Sequence, residues 1–340
     1  MVAGVARTSG RPRWHVRTGR RPLAHVILRL ISQRLALAVA TLFVVSMLVF
    51  LFTTVLPGDI AERVLGREST AQQRQIFRDH LHLDQPVYER YGSWAGGVVR
   101  GDLGKSLVND QTVTSTIGQS ARNTLFLGVF AFLLYLPVTL ILATLSALFR
   151  GKLPDGVISL LTLVGLSLPE FVLGTLLIFT FAVEFSWAPA LSIVNPGDDL
   201  PTRLHATVLP AITLMVAMAV YAIRMLRDSL IDVLDSEFVR MATLKGVPRW
   251  RVVLRHALPN AIGPALNVTA LNLTYLIGGV VVVEEVFSYP GLGKLLVDSI
   301  SVRDVPVVEA VALIASAVYI LANLVADVLA IMANPRLRSR

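Results

Sequence analysis

Apolar residues in this chain come in long unbroken runs, not in the alternation of a half-buried strand or the narrow stripe of a surface helix. Leu35 to Leu56 and Asn123 to Phe149 contain no charged residue, Gly156 to Val183 contains only Glu170, and Ala206 to Ile223 is short but uncharged. After a polar interval, Ala257 to Val283 is again uncharged, and Val305 to Asn334 holds Glu309 near its start and Asp327 near its end. A helix rising about 1.5 Å per residue needs roughly 20 such residues to cross about 30 Å of hydrocarbon. The pattern predicts six transmembrane helices and an all-α polytopic membrane protein.

Composition supports lipid as the solvent. Of 340 residues, 54% are hydrophobic and 16% charged, with a mean hydropathy of +0.66, against about 25% charged in a soluble domain. The net charge of +8 is concentrated in Arg7, Arg11, Arg13, Arg17, Arg20, Arg21, Arg29 and Arg34, so the chain beyond residue 34 is neutral. A basic tail running into an apolar segment points to anionic lipid headgroups and not to nucleic acid. With no cysteine, a disulfide framework and a thiolate metal site are both excluded. The first apolar run exceeds a signal-peptide core and lacks a small-x-small cleavage pattern, so it is expected to stay as an anchor. The Arg20-Arg21 pair lies too far upstream of it for a twin-arginine export signal.

Positive residues in short loops mark the cytoplasmic side. The arginine tail, the Arg150/Lys152 turn, the Arg224 to Arg255 stretch and Arg336, Arg338 and Arg340 alternate with neutral or acidic loops containing Glu184, Asp198, Asp199 and Glu284, Glu285, Asp298, Asp304. Both termini are then cytoplasmic. The predicted organisation is a basic tail (1–34), a first span (35–56), an extracytoplasmic region (57–120), a five-span core (121–334) containing a cytoplasmic loop (224–256), and a short terminus (335–340). Short helices are expected in the long external loop, following an Asp84-Gln85-Pro86 turn.

Several catalytic signatures fail. Gly101 to Ser106 reads GDLGKS, but Val99 stands where a phosphate-binding P-loop needs its earlier glycine. Gly291-x-Gly293 lacks the third glycine and the strand of a dinucleotide turn. Asp79, His80, His82 and Asp84 have metal-like spacing, but Leu81 and Leu83 between them fit one packed and one wet face, so no metal is assigned. The Asn-x-Thr triplets at Asn267 and Asn272 fall within an apolar span, out of reach of glycosylation.

The long cytoplasmic loop carries the strongest signal. Leu230, Leu234, Phe238 and Met241 recur at helical spacing, with Asp228, Asp232, Asp235, Glu237, Arg240 and Lys245 elsewhere around the helix. Gly246 supplies a residue able to take positive φ at a helix stop, and Pro248 suits the first turn of a second helix through Arg249, Trp250, Val253 and Leu254. A helical hairpin lying on the headgroups is the alternative reading of the same composition.

The run from Glu237 to Ile262, EFVRMATLKGVPRWRVVLRHALPNAI, resembles the coupling loop of permease subunits in ATP-binding cassette importers. That pattern is Glu-Ala-Ala, three residues, Gly, nine residues, Ile-x-Leu-Pro. Gly246, Leu258 and Pro259 match it, and Ala242 matches the second alanine. Arg240 stands in place of the acid, Met241 in place of the first alanine and His256 in place of the isoleucine, a departure typical of the peptide branch. LPGD (56–59), LDQPVYERY (83–91), RGDLGKS (100–106), VFSYPGLGKLL (286–296) and NPRLR (334–338) extend the resemblance to dipeptide and oligopeptide permeases along the chain.

The resemblance implies a type I ABC importer permease, one half of a channel with no catalytic site and no bound cofactor. A second homologous permease, two ATPase subunits using ATP and Mg, and an extracytoplasmic substrate-binding protein complete such a system. Phe238, Arg240, Met241, Ala242, Lys245, Gly246, Leu258 and Pro259 would form the contact to the ATPase. An ionisable group within a span costs roughly 2.5 to 3.5 kcal/mol, so Glu170, after Pro169, is a candidate for the substrate pathway with Ser167 and Asn272. Asp327 reads as structural, and Asn267, Asn272 and Asn323 can also serve as interhelical glue. Other solutes, such as nickel chelates, use the same architecture. A secondary transporter is the reading from a different class; it needs coupling charges near mid-membrane and often an internal repeat, and the sequence shows neither convincingly.

Overall fold

The computed structural model describes residues 23–55, 69–80 and 85–333. The arginines before residue 23, the LPGD motif, His82, Asp84, the side chain of Asp327 and the NPRLR motif lie outside that description. Among the described residues the architecture is helical throughout. Four helices are each long and apolar enough to span a membrane: α1 (Leu23–Val55), α4 (Val113–Leu148), α7 (Leu200–Leu234) and α11 (Val305–Ala333). Two bent helix pairs are also apolar enough, and counting each as one span gives the six expected from the sequence.

The first pair is the predicted span 156–183, which is not one rod. Pro169 has no N–H to donate to the preceding turn, and the chain breaks into α5 (Leu153–Ser167) and α6 (Glu170–Leu177), the latter continuing as a π-helical turn to Glu184. The chain direction bends by 113° from one arm to the other. The second pair comprises the stretch from Arg249 to Leu273 and the stretch from Gly278 to Val286, with a bend of 60° between them. Most of this pair is α9 (Leu258–Val286), entered through a π-helical segment, Val252–Ala257. Pro259 cannot donate to that turn, and the wider π register accommodates it.

The run Ala206 to Ile223, short in the sequence, belongs to the 35-residue α7, the most buried of the four long helices. Leu209, Leu214, Met218, Ile223, Leu226 and Leu230 are all buried along it, against α4 and α9. A helix enclosed by others can end in polar turns, because neighbouring helices replace lipid around it. α1 is the peripheral span and begins twelve residues before the predicted boundary, at Leu23. It is held by α11, where Thr53 Oγ1 donates to Glu309 Oε1 at 2.8 Å.

Between α1 and α4 lie the expected short helices, α2 (Ala71–His80) and α3 (Val87–Val99). Tyr91 and Trp94 of α3 form an aromatic cluster with Phe43 and Phe50 of α1, ring centroids 5.4 to 6.4 Å apart, and the Tyr91 hydroxyl bonds to Ser46. GDLGKS is a structural turn and no phosphate cradle. Gly104 N donates to Asp102 Oδ1, and Ser106 Oγ donates to buried Asp304, in the turn before α11.

Candidate functional site

Loops alternate between the two ends of the bundle. At one end the turn between α4 and α5 meets the segment after α7. α7 stops at Asp235, and Glu237–Leu244 forms a separate helix, α8. Leu230 and Phe238 therefore do not share one continuous helical face, as their spacing predicts: Leu230 is in the core, whereas Phe238 is about half exposed. On α8, Val239 faces inward and is buried. Phe238, Met241 and Leu244 remain exposed, at 48%, 53% and 81%, an apolar face left open among the described residues. Ala242 accepts from the Val247 amide through its carbonyl, and Arg240 pairs with exposed Glu237 at 3.3 Å. Lys245 caps the helix, with its N–H donating to Met241 O.

Gly246 follows with φ +76°, and its N–H donates to Thr243 O at 3.0 Å. This left-handed residue reverses the chain into Pro248, whose carbonyl starts the next turn by accepting from Arg251 and Val252. Leu258 and Pro259 open α9 beneath it. A half-open groove of about 580 Å³ runs beside α8 where Val239 packs on the bundle, lined by Leu148, Arg150, Ile231, Val239, Arg249 and Val253 among others. α8 thus hangs on two turns, with space beside it.

The base of this element is cross-linked by a polar network, through residues whose types alone did not mark them. Asp155, at the start of α5, accepts from Arg227 Nε at 2.7 Å and Arg227 Nη2 at 2.8 Å, a bidentate pair. It also accepts from Ser146 Oγ at 2.6 Å and Gly151 N at 2.9 Å. The network ties the ends of α4, α5 and α7 two turns before α8. A lone acid beside the basic Arg150/Lys152 turn is the signal that could have marked it.

At the opposite end a second carboxylate organises the VFSYPGLGKLL motif. Glu284, fully buried, accepts from Thr124 Oγ1 at 2.6 Å and from the amides of Gly293 and Lys294, the first turn of α10 (Leu292–Val302). It caps that helix from a distance. The motif's glycines follow from this approach: a Cβ on Gly293 would lie 2.5 Å from Val281 Cα, and one on Gly291 would overlap the Glu284 carboxylate. Tyr289, buried beside them, donates to Asn123 O, and burial pushes its hydroxyl up to about 12. Asn123 in turn bonds Pro290 O and Arg203 Nη2.

Within the spans, the predicted pathway residues separate. Ser167 bonds its own helix at Leu163 O, and Asn323 likewise bonds Tyr319 O. Asn272 donates to Met218 O at 2.9 Å and to Tyr135 Oη at 3.4 Å, joining α9 to α7 and α4. That contact is interhelical glue. Glu170 is the exception, reaching Tyr275 on α9 with one carboxylate oxygen, while the other is buried without a partner among the described residues. Asp79 bonds Gln75, and no cluster of metal-binding side chains occurs among the described residues.

Four long apolar helices with two bent apolar pairs, and an exposed apolar helix on a glycine turn, describe a multi-pass membrane subunit with a surface left for another protein. Residues 136–339 match the family of binding-protein-dependent transport system inner membrane components, and residues 27–143 match the N-terminal region of such membrane components. Proteins of Escherichia coli (strain K12) and Shigella dysenteriae serotype 1 described as glutathione transport system permease protein GsiC are each 39% identical over 312 residues, 92% of this chain and 99% of theirs. The same protein of Shigella boydii serotype 4 is 38% identical over the same share. The chain belongs to this family: it is a non-catalytic permease subunit of an ABC importer with the type I fold.

Proposed function

We propose that this permease carries di- or oligopeptides across the cytoplasmic membrane, with a second homologous permease, two ATPase subunits and an extracytoplasmic binding protein. The similarity to permeases of glutathione, itself a small peptide, supports the substrate class. The observation that carries the mechanism is the exposed face of α8. Phe238 and Met241 would enter a groove on an ATPase, Arg240 and Lys245 would meet its acidic rim, and both termini would lie on that side. Hydrolysis stays with the partner, which supplies ATP and Mg.

When the ATPases close, a push on α8 passes two ways. One runs through the Asp155–Arg227 clamp into α7, and the other through the Gly246–Pro248 turn, Leu258 and Pro259 into α9. These helices flank Glu170, so the lever bears on the pathway assigned to Ser167, Glu170 and Asn272.

Copurification from membranes in mild detergent tests this, followed by ATP hydrolysis with and without peptide-loaded binding protein. A complex containing ATPases and a second permease, stimulated by peptide, is the expected result. Stimulation by a nickel chelate and not by peptide would move the chain to the other solute class. A lone chain with uptake driven by an ion gradient would sink the importer reading.

A further inference from the structure

The two broken spans meet at one contact. α5 and α6 part at Leu168 and Pro169, and the second bent pair changes direction between Leu273 and Gly278. Glu170 is the first residue after one break, Tyr275 lies within the other, and the Tyr275 hydroxyl donates to Glu170 Oε1. Gly279 sits under the carboxylate, where a Cβ would come within 3.0 Å of Oε2 and 3.3 Å of Oε1. A larger residue there would displace the carboxylate.

Glu170 Oε2 is shielded from solvent and accepts no hydrogen bond among the described residues. A carboxylate at membrane depth with one oxygen unsatisfied is costly. Interrupted helices at that depth are tolerated where they are buried in protein or line a wet cavity. Tyr275 is 44% exposed, so one side of the contact is open. Asn272, one turn earlier on α9, has its donors committed to the packing of α4 and α7. Glu170 is therefore the group at this junction with acceptor capacity to spare and a negative charge to offer.

We propose that Glu170 and Tyr275 form a cation-selective latch on the pathway, which opens when the positively charged amino group of a solute takes the place of the Tyr275 hydroxyl on the Glu170 carboxylate. This rests on the pathway placement proposed above and adds the chemistry of the solute: it carries an ammonium group, and the latch senses it after release from the binding protein. Because the hydrogen bond joins two breaks, exchanging it frees both arms to move. In the closed form it holds the breaks together.

The absence of cysteine makes the test direct. In the full complex, Tyr275→Cys provides one thiol on this chain beside Glu170, and Ser167→Cys provides a second position should the first fail to assemble. Labelling by a cationic trimethylammonium-ethyl and by an anionic sulfonato-ethyl methanethiosulfonate is followed on this chain by its mass. Rates are normalised to those with a free thiol, at rest and during turnover with ATP and dialanine-loaded binding protein. With Glu170 present, the cationic reagent is expected to react about tenfold faster or more, as a fixed charge in a cleft concentrates counter-ions. In the Glu170→Gln background that preference should disappear. Equal rates for both reagents with Glu170 present would overturn the charge selection and leave the pathway placement standing. No labelling at either position in any state would remove the latch and the pathway placement together, while the copurification described above would still report on the importer itself.

Discussion

Replacing Asp155 by alanine tests whether the clamp before α8 is a structural fulcrum. The substitution removes the acceptor of four hydrogen bonds and leaves Arg227, only 22% exposed, without its bidentate partner. Breaking a buried ion pair from one side costs about 3 to 5 kcal/mol. Arg227 keeps Asp228 at 2.9 Å and retains some water, so the lower end, about 3 kcal/mol, applies. With about 2 °C per kcal/mol for a long chain, the melting midpoint should fall by about 6 °C. The assay is recovery of the monodisperse peak after heating in mild detergent. Asp155→Leu combined with Arg227→Met should lose less than the sum of the single changes, since no orphaned charge remains. A midpoint within about 1 °C of the unsubstituted protein, or strict additivity in the double variant, would refute the reasoning.

Gly246→Val places a β-branched residue at φ +76°, at a cost of about 1 to 2 kcal/mol; open space surrounds the position, so the expected loss is in peptide-stimulated ATP hydrolysis and not in assembly of the fold. Gly246→Asn, which tolerates that φ, should retain most coupling. Phe238→Asp should leave the melting midpoint of this chain unchanged and weaken ATPase binding about 30-fold in Kd, as expected for an interface anchor worth about 2 kcal/mol; unchanged affinity would show that α8 is not the dock. Gly293→Ala sets a methyl group 2.5 Å from Val281 Cα and should destabilise by about 1 to 3 kcal/mol through overpacking, read as a lower midpoint in the same heating assay.

The amino-acid sequence alone determined that this is an all-α membrane protein, because runs of about 20 uncharged residues have few other places to go. It also located the α8 hinge, since positive φ at a helix end and a following proline are local backbone demands that Gly246 and Pro248 announce. What tertiary structure decided is everything that depends on two distant segments meeting. The single span read from Gly156 to Val183 became two arms with a 113° bend between them, because a proline break costs least where another interrupted helix packs against it. The spacing that placed Leu230 and Phe238 on one face holds only within an unbroken helix, and Asp235 ends it. Asp155, Arg227 and Glu284 looked like ordinary loop charges. Each owes its role to partners brought to it by folding: an arginine 72 residues away for Asp155, and for Glu284 a threonine 160 residues away with the first amides of α10. Glu170 stood out early as a charge inside a span. Its meaning came from Tyr275, whose place opposite it is set by the packing of α6 on α9, a contact that no local pattern encodes.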